Sequence, residues 1–385
     1  MPGPYAGHHS LASIPRAGAD WMRRFLRWMF RATVVGAAVL AVAVGVVFLI
    51  PVRTTVAAIA PRADTQYWQM QGGYRIAYTR LAPAAGAPRR LPVVFLHGGP
   101  GGYVHSSIIQ TLQPLADAGH EVFLYDQRGS GLSDRLPRPK DSGFNDQIAD
   151  LHEIVGRQLG VERVALVGQS HGARLAAYYA ARHPEKVARL VLGSPANLEP
   201  AEYDEQGRAV VESRYPIPET LDFRIPDPEQ YRRDTGLSAM PAKVILAQAF
   251  AMAFNVKTVS DAEADAALNT LAAGFTRNMV CDPKNVKPEE GGAGVYVRTG
   301  ANWFGDVEDP RPQMRRFPGP VLVLQGQCDF VPYAEAYEYV DLFPDARYQF
   351  IPGGGHILWW EQPEAYVRHI AGFLSEDASQ RGQVQ

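Results

Sequence analysis

Cysteine is nearly absent: the 385-residue chain holds only Cys281 and Cys328, so no disulfide framework carries its fold. Net charge is small as well. With 38 Lys and Arg against 40 Asp and Glu the total is −2, which gives no electrostatic footprint for nucleic acid. That balance, with 46% apolar residues, excludes a disordered chain, and 36 Gly and 30 Pro without a triplet period exclude a collagen-like one. HExxH does not occur and the ten histidines are scattered, with His8-His9 reading as a solvated tail, so no metal is expected. Neither G-K-[ST] nor GxGxxG with a downstream acidic ribose ligand is present, so no phosphate-bearing cofactor is expected either. Internal repeats are lacking, and biased composition is confined to the Ala/Pro/Gly/Arg-rich stretch 82–91.

Long apolar runs are also scarce, which makes the one that exists informative. Between Arg31 and Arg53 lie 21 uncharged residues, and a helix of that length rises far enough to cross a hydrocarbon core of about 30 Å. We read 32–52 as a transmembrane helix in a lipid bilayer, 1–31 as a basic cytoplasmic tail and 53–64 as a linker. Arg16, Arg23, Arg24, Arg27 and Arg31 against Asp20 give the tail +4, and Trp21 and Trp28 suit a membrane interface. The remainder, at −6, is then extracytoplasmic by the positive-inside rule. The alternative is secretion after signal cleavage. An AIA site stands at Ala58 to Ala60, but Pro61 follows it, and the apolar run exceeds the roughly 7–15 residues of a cleavable signal.

Beyond Asp64, short apolar runs alternate with helical periods, the pattern of an α/β protein. TQYWQMQ and YRIAYTRL flank Gly72-Gly73 as a β-hairpin. VVFL, EVFLYD, VALVG, ARLVLG, VLVLQG and YQFIP read as strands, interleaved with stretches such as SHGARLAAYYAARH and EAYVRHIAGFL, so a mostly parallel sheet flanked by helices is expected. From 197 to 314 no comparable strand appears, and the length is too great for a loop. We expect a helical cap there, inserted between core segments 65–196 and 315–376, with a tail at 377–385.

Gly168-Gln169-Ser170-His171-Gly172 follows a strand and opens a helix, the context of a nucleophile elbow, in which a sharp turn presents the serine Oγ. Serine is a weak nucleophile without a base, and the base needs an orienting carboxylate. Asp329, just after VLVLQG, and His356, in the loop GGGH after YQFIP, stand in the order and places required. His369 lies within a helical stretch, and Asp341 and Asp345 precede the last strand rather than follow the one before it. Stabilising an oxyanion takes backbone N–H donors. His97-Gly98-Gly99-Pro100-Gly101-Gly102 follows VVFL, so Gly99 N–H is expected as one donor and His171 N–H as the other. The His171 imidazole is expected to line the pocket or pack near Gly98. His97, Gly98, Pro100, Gly101 and Gln169 complete the motif around the site.

HGGPGG, DQRGSGLSD at 126 to 134, the elbow, and Asp329 and His356 in order make the sequence resemble the α/β-hydrolase superfamily, and within it the prolyl aminopeptidase (proline iminopeptidase) group. The resemblance runs from about residue 66 to 375. It implies Ser170 as nucleophile, Asp329 as acid, His356 as base, and the inserted helices as a cap over the site. GQSHG departs from the usual GGSWG, so His171 replaces a pocket-lining Trp, and the late aromatic signature is reduced to Trp303-Phe304. Glu202, Asp204, Glu205 and Glu212 are candidates for binding a substrate α-amino group, or else solvated surface acids. Cys281 and Cys328 are either a disulfide tying the cap to the loop of the catalytic acid or two thiols. The expected function is a serine hydrolase acting at the N-termini of short peptides through an acyl-enzyme. An esterase or lactonase on small apolar acyl substrates is the first alternative, and a non-catalytic tethered binding protein the second.

Overall fold

The computed structural model describes residues 17–207, 209–225, 240–301 and 307–376. Trp303-Phe304 lies outside the described residues. The chain divides into two units, Met1–Pro51 and Val52–Gln385.

In the first unit, helix α1 (Ala17–Leu49) is long and apolar enough to cross a membrane. It ends three residues short of the expected boundary at Val52, because Pro51 lacks an N–H and disfavours helical geometry at Ile50.

The second unit is built on an eight-stranded sheet in the order β1-β2-β4-β3-β5-β6-β7-β8. The strands are β1 (Thr65–Gln69), β2 (Arg75–Leu81), β3 (Val93–Leu96), β4 (Val122–Tyr125), β5 (Val164–Gln169), β6 (Val187–Gly193), β7 (Val321–Cys328) and β8 (Ala346–Gly355). β1/β2 and β2/β4 are antiparallel, and every pair from β4 onward is parallel. β3, β4 and β5 are buried along their whole length, as parallel strands covered on both faces must be. Their alternate residues feed two cores: Val94, Leu96 and Leu166 on one face, Val93, Phe95 and Val167 on the other.

The crossovers contain α2 (Ser106–Asp117), α3 (Phe144–Glu153), α4 (His171–Arg182) and α10 (Tyr333–Leu342), and α11 (Leu358–Glu361) and α12 (Pro363–Ser375) follow the last strand. Between β6 and β7 the described residues contain α5 (Val210–Arg214), α6 (Ala242–Phe254), α7 (Asp261–Phe275), α8 (Val295–Ala301) and α9 (Arg311–Met314). No strand is found there among the described residues, in keeping with the long strand-free stretch.

Two places depart from expectation. β8 runs on through Gly353-Gly354-Gly355, so the glycines read as a loop are strand, and Gly355 pairs with Cys328. A β-carbon on Gly326 would lie 2.3 Å from the Gly354 carbonyl oxygen, so glycine there allows β7 and β8 to approach closely. The linker is likewise not a free spacer. Val52 N–H donates to Glu263 (3.4 Å), Thr55 N–H to Thr270 Oγ1 (3.2 Å) and Ile59 N–H to the Gly291 carbonyl (3.1 Å), fastening the strap to α7 and to the segment before α8.

Candidate active site

β3 has β4 on one side and β5 on the other, so the chain reverses direction of winding at β3, and crevices form at the carboxyl ends of strands around such a point. HGGPGG leaves β3 there and the elbow leaves β5. Ser170 is held at φ 54° and ψ −119°, a conformation costly for a non-glycine residue. Flanking glycines make the turn possible: a β-carbon on Gly172 would lie 2.2 Å from the Leu96 carbonyl oxygen, and one on Gly168 2.4 Å from that of Gly172. Ser170 is half-buried, and its Oγ makes no hydrogen bond among the described residues. Its backbone is fixed by Ser170 N–H to the Gly193 carbonyl (2.8 Å) and by Ala196 N–H to the Ser170 carbonyl (3.2 Å).

Asp329 follows β7 directly and is fully buried; His356 follows β8 and is 3% exposed. Asp329 Oδ1 and His356 Nδ1 are 2.7 Å apart, and Val331 N–H donates to the same oxygen at 3.0 Å. His356 is tied to the elbow by Gln169, whose Nε2 donates to the His356 carbonyl at 2.6 Å. The Phe330 ring covers the imidazole, with centroids 4.0 Å apart. Beside this pair, Cys328 is joined to Cys281 by a disulfide, which resolves the open question of bridge or thiols.

The glycine loop after β3 is braced from several sides. Gly99 has φ 142°, and a β-carbon there would lie 2.6 Å from the N atoms of both Gly101 and Gly102. Gly98 packs on the nucleophile: a β-carbon built on it would be 3.1 Å from Ser170 Cβ. Among the described residues neither Gly99 nor His171 donates its N–H to another group. His97 Nδ1–H donates to the Gly98 carbonyl (2.7 Å) while Nε2 accepts Gln127 N–H (2.9 Å), which fixes the tautomer. Burial holds the His97 imidazole below its usual pKa, hence neutral. Gln127 returns a bond from Nε2 to the His97 carbonyl at 2.8 Å. From the same DQRGSG stretch, Asp126 accepts Val104 N–H and Leu132 N–H at 2.7 and 2.8 Å, and Arg128 pairs with buried Asp150. Gly101 abuts the inserted segment: its carbonyl accepts Gly294 N–H at 2.8 Å, and Gly131 N–H donates to Gly292 at 2.7 Å.

Of the two places expected for the His171 side chain, the pocket wall is not the one found: it is fully buried, donating from Nε2 to Gln147 Oε1 (2.9 Å) and accepting at Nδ1 from Arg174 (3.0 Å), edge-on to Phe144. Burial, then the nearby Arg174 charge, keeps its pKa well below the ordinary value. The reason is a polar niche between α3 and α4 that satisfies both ring nitrogens, where a pocket wall would leave one to water.

A cavity of about 110 Å³ is lined by Asn197, Leu198, Glu202, Arg311, Glu335 and Glu338 among others; Ser170, Asp329 and His356 are not among its lining residues. Of the four acids expected near an amine, Glu202, Glu205 and Glu212 are exposed and Asp204 half-exposed. Glu335 on α10 was not anticipated. Its carboxylate makes no hydrogen bond or ion pair among the described residues, and burial, with the charges of Glu212 and Asp329, pushes its pKa up to about 7. In the sequence it is one acid on a surface-like helix; its place six residues past Asp329, at the first turn of the following helix, was the available signal. Among the described residues no three His, Cys, Asp or Glu gather as for a metal ion.

A strand-turn-helix elbow, a buried Asp-His pair on neighbouring strands and a glycine loop with free amides define a hydrolytic α/β architecture, and comparison with known proteins agrees. The model of the α/β hydrolase fold family matches residues 92–363, and the chain belongs to that family. It is a hydrolase, serine-type by family. Among its relatives is a proline iminopeptidase of Clostridioides difficile, 26% identical over 295 residues, covering 74% of this chain and 89% of the relative. Another is the 2-hydroxy-6-oxononadienedioate/2-hydroxy-6-oxononatrienedioate hydrolase of Comamonas testosteroni, 25% identical over 288 residues, covering 74% and 87%. An esterase structure from Exiguobacterium antarcticum superposes with TM-score 0.56 at 18% identity, covering 81% of this chain and 99% of that one, a likeness of fold alone.

Proposed function

We propose that this protein is a membrane-anchored serine hydrolase of prolyl-aminopeptidase type that removes N-terminal residues from short peptides. The observation that carries the reading is the 2.7 Å Asp329–His356 contact, buried beside a strained serine elbow to which Gln169 ties the histidine. With Nδ1–H donating to Asp329, His356 presents Nε2 as the base that takes the Ser170 proton while Oγ attacks the carbonyl carbon. The tetrahedral oxyanion is received by the N–H groups of Gly99 and His171, with the α4 N-terminus behind them. His356 then protonates the leaving amine, and water resolves the acyl-enzyme by the same route. The segment 197–314 serves as a cap, and Glu335, a carboxylate that lines a cavity and has no partner among the described residues, binds the substrate's α-ammonium group.

Retention of the anchor is supported by the strap. Cleavage after Ala60 would strip Val52–Ala60 from contacts with α7 and Gly291, where a β-carbon on Gly291 would sit 1.8 Å from the Ala57 carbonyl oxygen. The basic flank then places the catalytic unit outside the cytoplasm. An esterase is the second reading, favoured by the exposure of Glu202, Glu205 and Glu212, three of the four expected amine-binding acids, since an ester needs the triad alone. Measuring kcat/KM for proline amides and short acyl esters decides between them. The peptidase reading expects amides to be preferred and Glu335→Gln to remove amide turnover while sparing esters. Ester preference with Glu335→Gln indifferent would favour the esterase.

A further inference from the structure

A general base becomes a cation each time it takes a proton, and His356 would have to do so almost without water, being 3% exposed. Asp329 meets that charge at the edge of the ring, 2.7 Å from Nδ1, and is the only ion-pair partner of His356 among the described residues. The other groups packed around the imidazole are neutral or engaged elsewhere. Ser170 and Gln169 on the elbow carry no charge, Cys281 and Cys328 are bonded to each other, and Glu361 accepts the N–H groups of Cys281 and Asp282. The charge of Glu335 on α10 bears on Asp329.

One face of the imidazole is occupied by Phe330. Centroids 4.0 Å apart are too close for rings lying side by side, and the planes are inclined by 36°, so the benzene ring presents its π face. Its place is held from both directions along the chain. Asp329 Oδ1, the oxygen that meets His356, also accepts Val331 N–H at 3.0 Å, which anchors the backbone after Phe330. Cys328, two residues before it, is bridged to Cys281. Phe275, at the end of α7, flanks the Phe330 ring with centroids 5.8 Å apart. The face of an aromatic ring carries the negative part of its quadrupole and attracts a cation, more strongly where water is excluded.

We propose that Phe330 stabilises the His356 imidazolium through its π face and so lowers the barrier to proton transfer from Ser170. This rests on the serine-hydrolase reading and deepens it: Phe330 is a positioning residue that acts through the base. The consequence depends on pH in a way that packing alone does not. Where His356 is neutral in the free enzyme, the cation arises only in the transition state, and the whole interaction accelerates the reaction. Where His356 is already protonated, the cation faces Phe330 in both ground state and transition state, so the interaction cancels and the ring gives no advantage.

The test follows the second-order rate at which a fluorophosphonate labels Ser170 in the full chain, from acid to neutral pH. Wild type is compared with Phe330→Leu and with a chain carrying trifluorophenylalanine at position 330. Leucine fills space without a π face. Fluorine withdraws electron density from the face while keeping the ring's shape, and decides the matter if the leucine variant fails to fold. At neutral pH, labelling of Phe330→Leu is expected to be about 3- to 30-fold slower than that of wild type. The acid limb of its profile moves to lower pH by the same factor, so the two proteins coincide in acid, and trifluorophenylalanine changes the profile in the same sense. Slowing by an equal factor at every pH would show that the ring merely holds the base in place, and overturns the proposal. Wild-type profiles in both variants also overturn it, and in either case labelling of wild type at Ser170 leaves the hydrolase reading standing. A wild type that does not label, or labels no faster than Ser170→Ala, removes that reading and the proposal with it.

Discussion

The turn at Ser170 and the pairing of Asp329 with His356 were legible because each proposed chemical role demands a residue type at a fixed place relative to a strand. Side chains whose roles depend on distant partners were not. His171 needs Gln147, 24 positions earlier, to complete its niche, and nothing in GQSHG announces that contact. Gln127 and Gln169, which tie the glycine loop and His356 to their neighbours, look interchangeable with any buried amide until the backbone groups they serve are seen. Gly99 shows how narrow the tolerance is. Gly99→Ala sets a β-carbon against two backbone nitrogens at 2.6 Å and displaces the proposed oxyanion donor, so kcat should fall about 10²–10³-fold with KM much less affected. Steady-state kinetics check this; an unchanged kcat would remove Gly99 from the oxyanion site. Glu335 predicts a pH dependence. A carboxyl whose pKa rises on folding from 4.5 to about 7 costs nothing below pH 4.5, and destabilises the fold increasingly until pH passes about 7. Glu335→Gln should therefore raise Tm over the wild type at pH 8 and not at pH 4.5; equal differences at both would contradict a raised pKa.

Elements were read well wherever apolar periodicity and punctuation agreed. The hairpin at Gly72-Gly73, the four fully buried residues of β3 and the helix following the elbow all follow from pattern alone. Glycine runs were the blind spot: Gly353 to Gly355 carry no side chain to signal a strand, yet their backbone pairs with β7 because Gly326 leaves room. The Cys281–Cys328 bridge belongs to this scale, since it ties β7, next to Asp329, to a segment 47 residues away. Replacing both cysteines by serine should cost about 2–4 kcal/mol of stability, measured by urea unfolding, and lower kcat by loosening the Asp329 loop. A variant unchanged in both would make the bridge incidental.

For the whole molecule, the near-zero net charge is the sum of a basic tail and an acidic body, which the proposed topology places on opposite sides of a bilayer. The long apolar helix was legible from length and composition, while the strap was not, because its hydrogen bonds are made by backbone to α7 and Gly291, more than 200 positions away. If the anchor is retained, the intact 42 kDa chain stays with the membrane pellet through an alkaline carbonate wash. A shortened product in the supernatant would instead establish cleavage.

The proposed chemistry turns on Ser170 as the nucleophile of a site activated by Asp329 and His356. Treating the protein with a fluorophosphonate probe, then locating the adduct by peptide mass spectrometry, tests this. Stoichiometric labelling is expected on Ser170, abolished in Ser170→Ala and strongly slowed in His356→Ala. Absence of labelling, or equal labelling of Ser170→Ala, would contradict it.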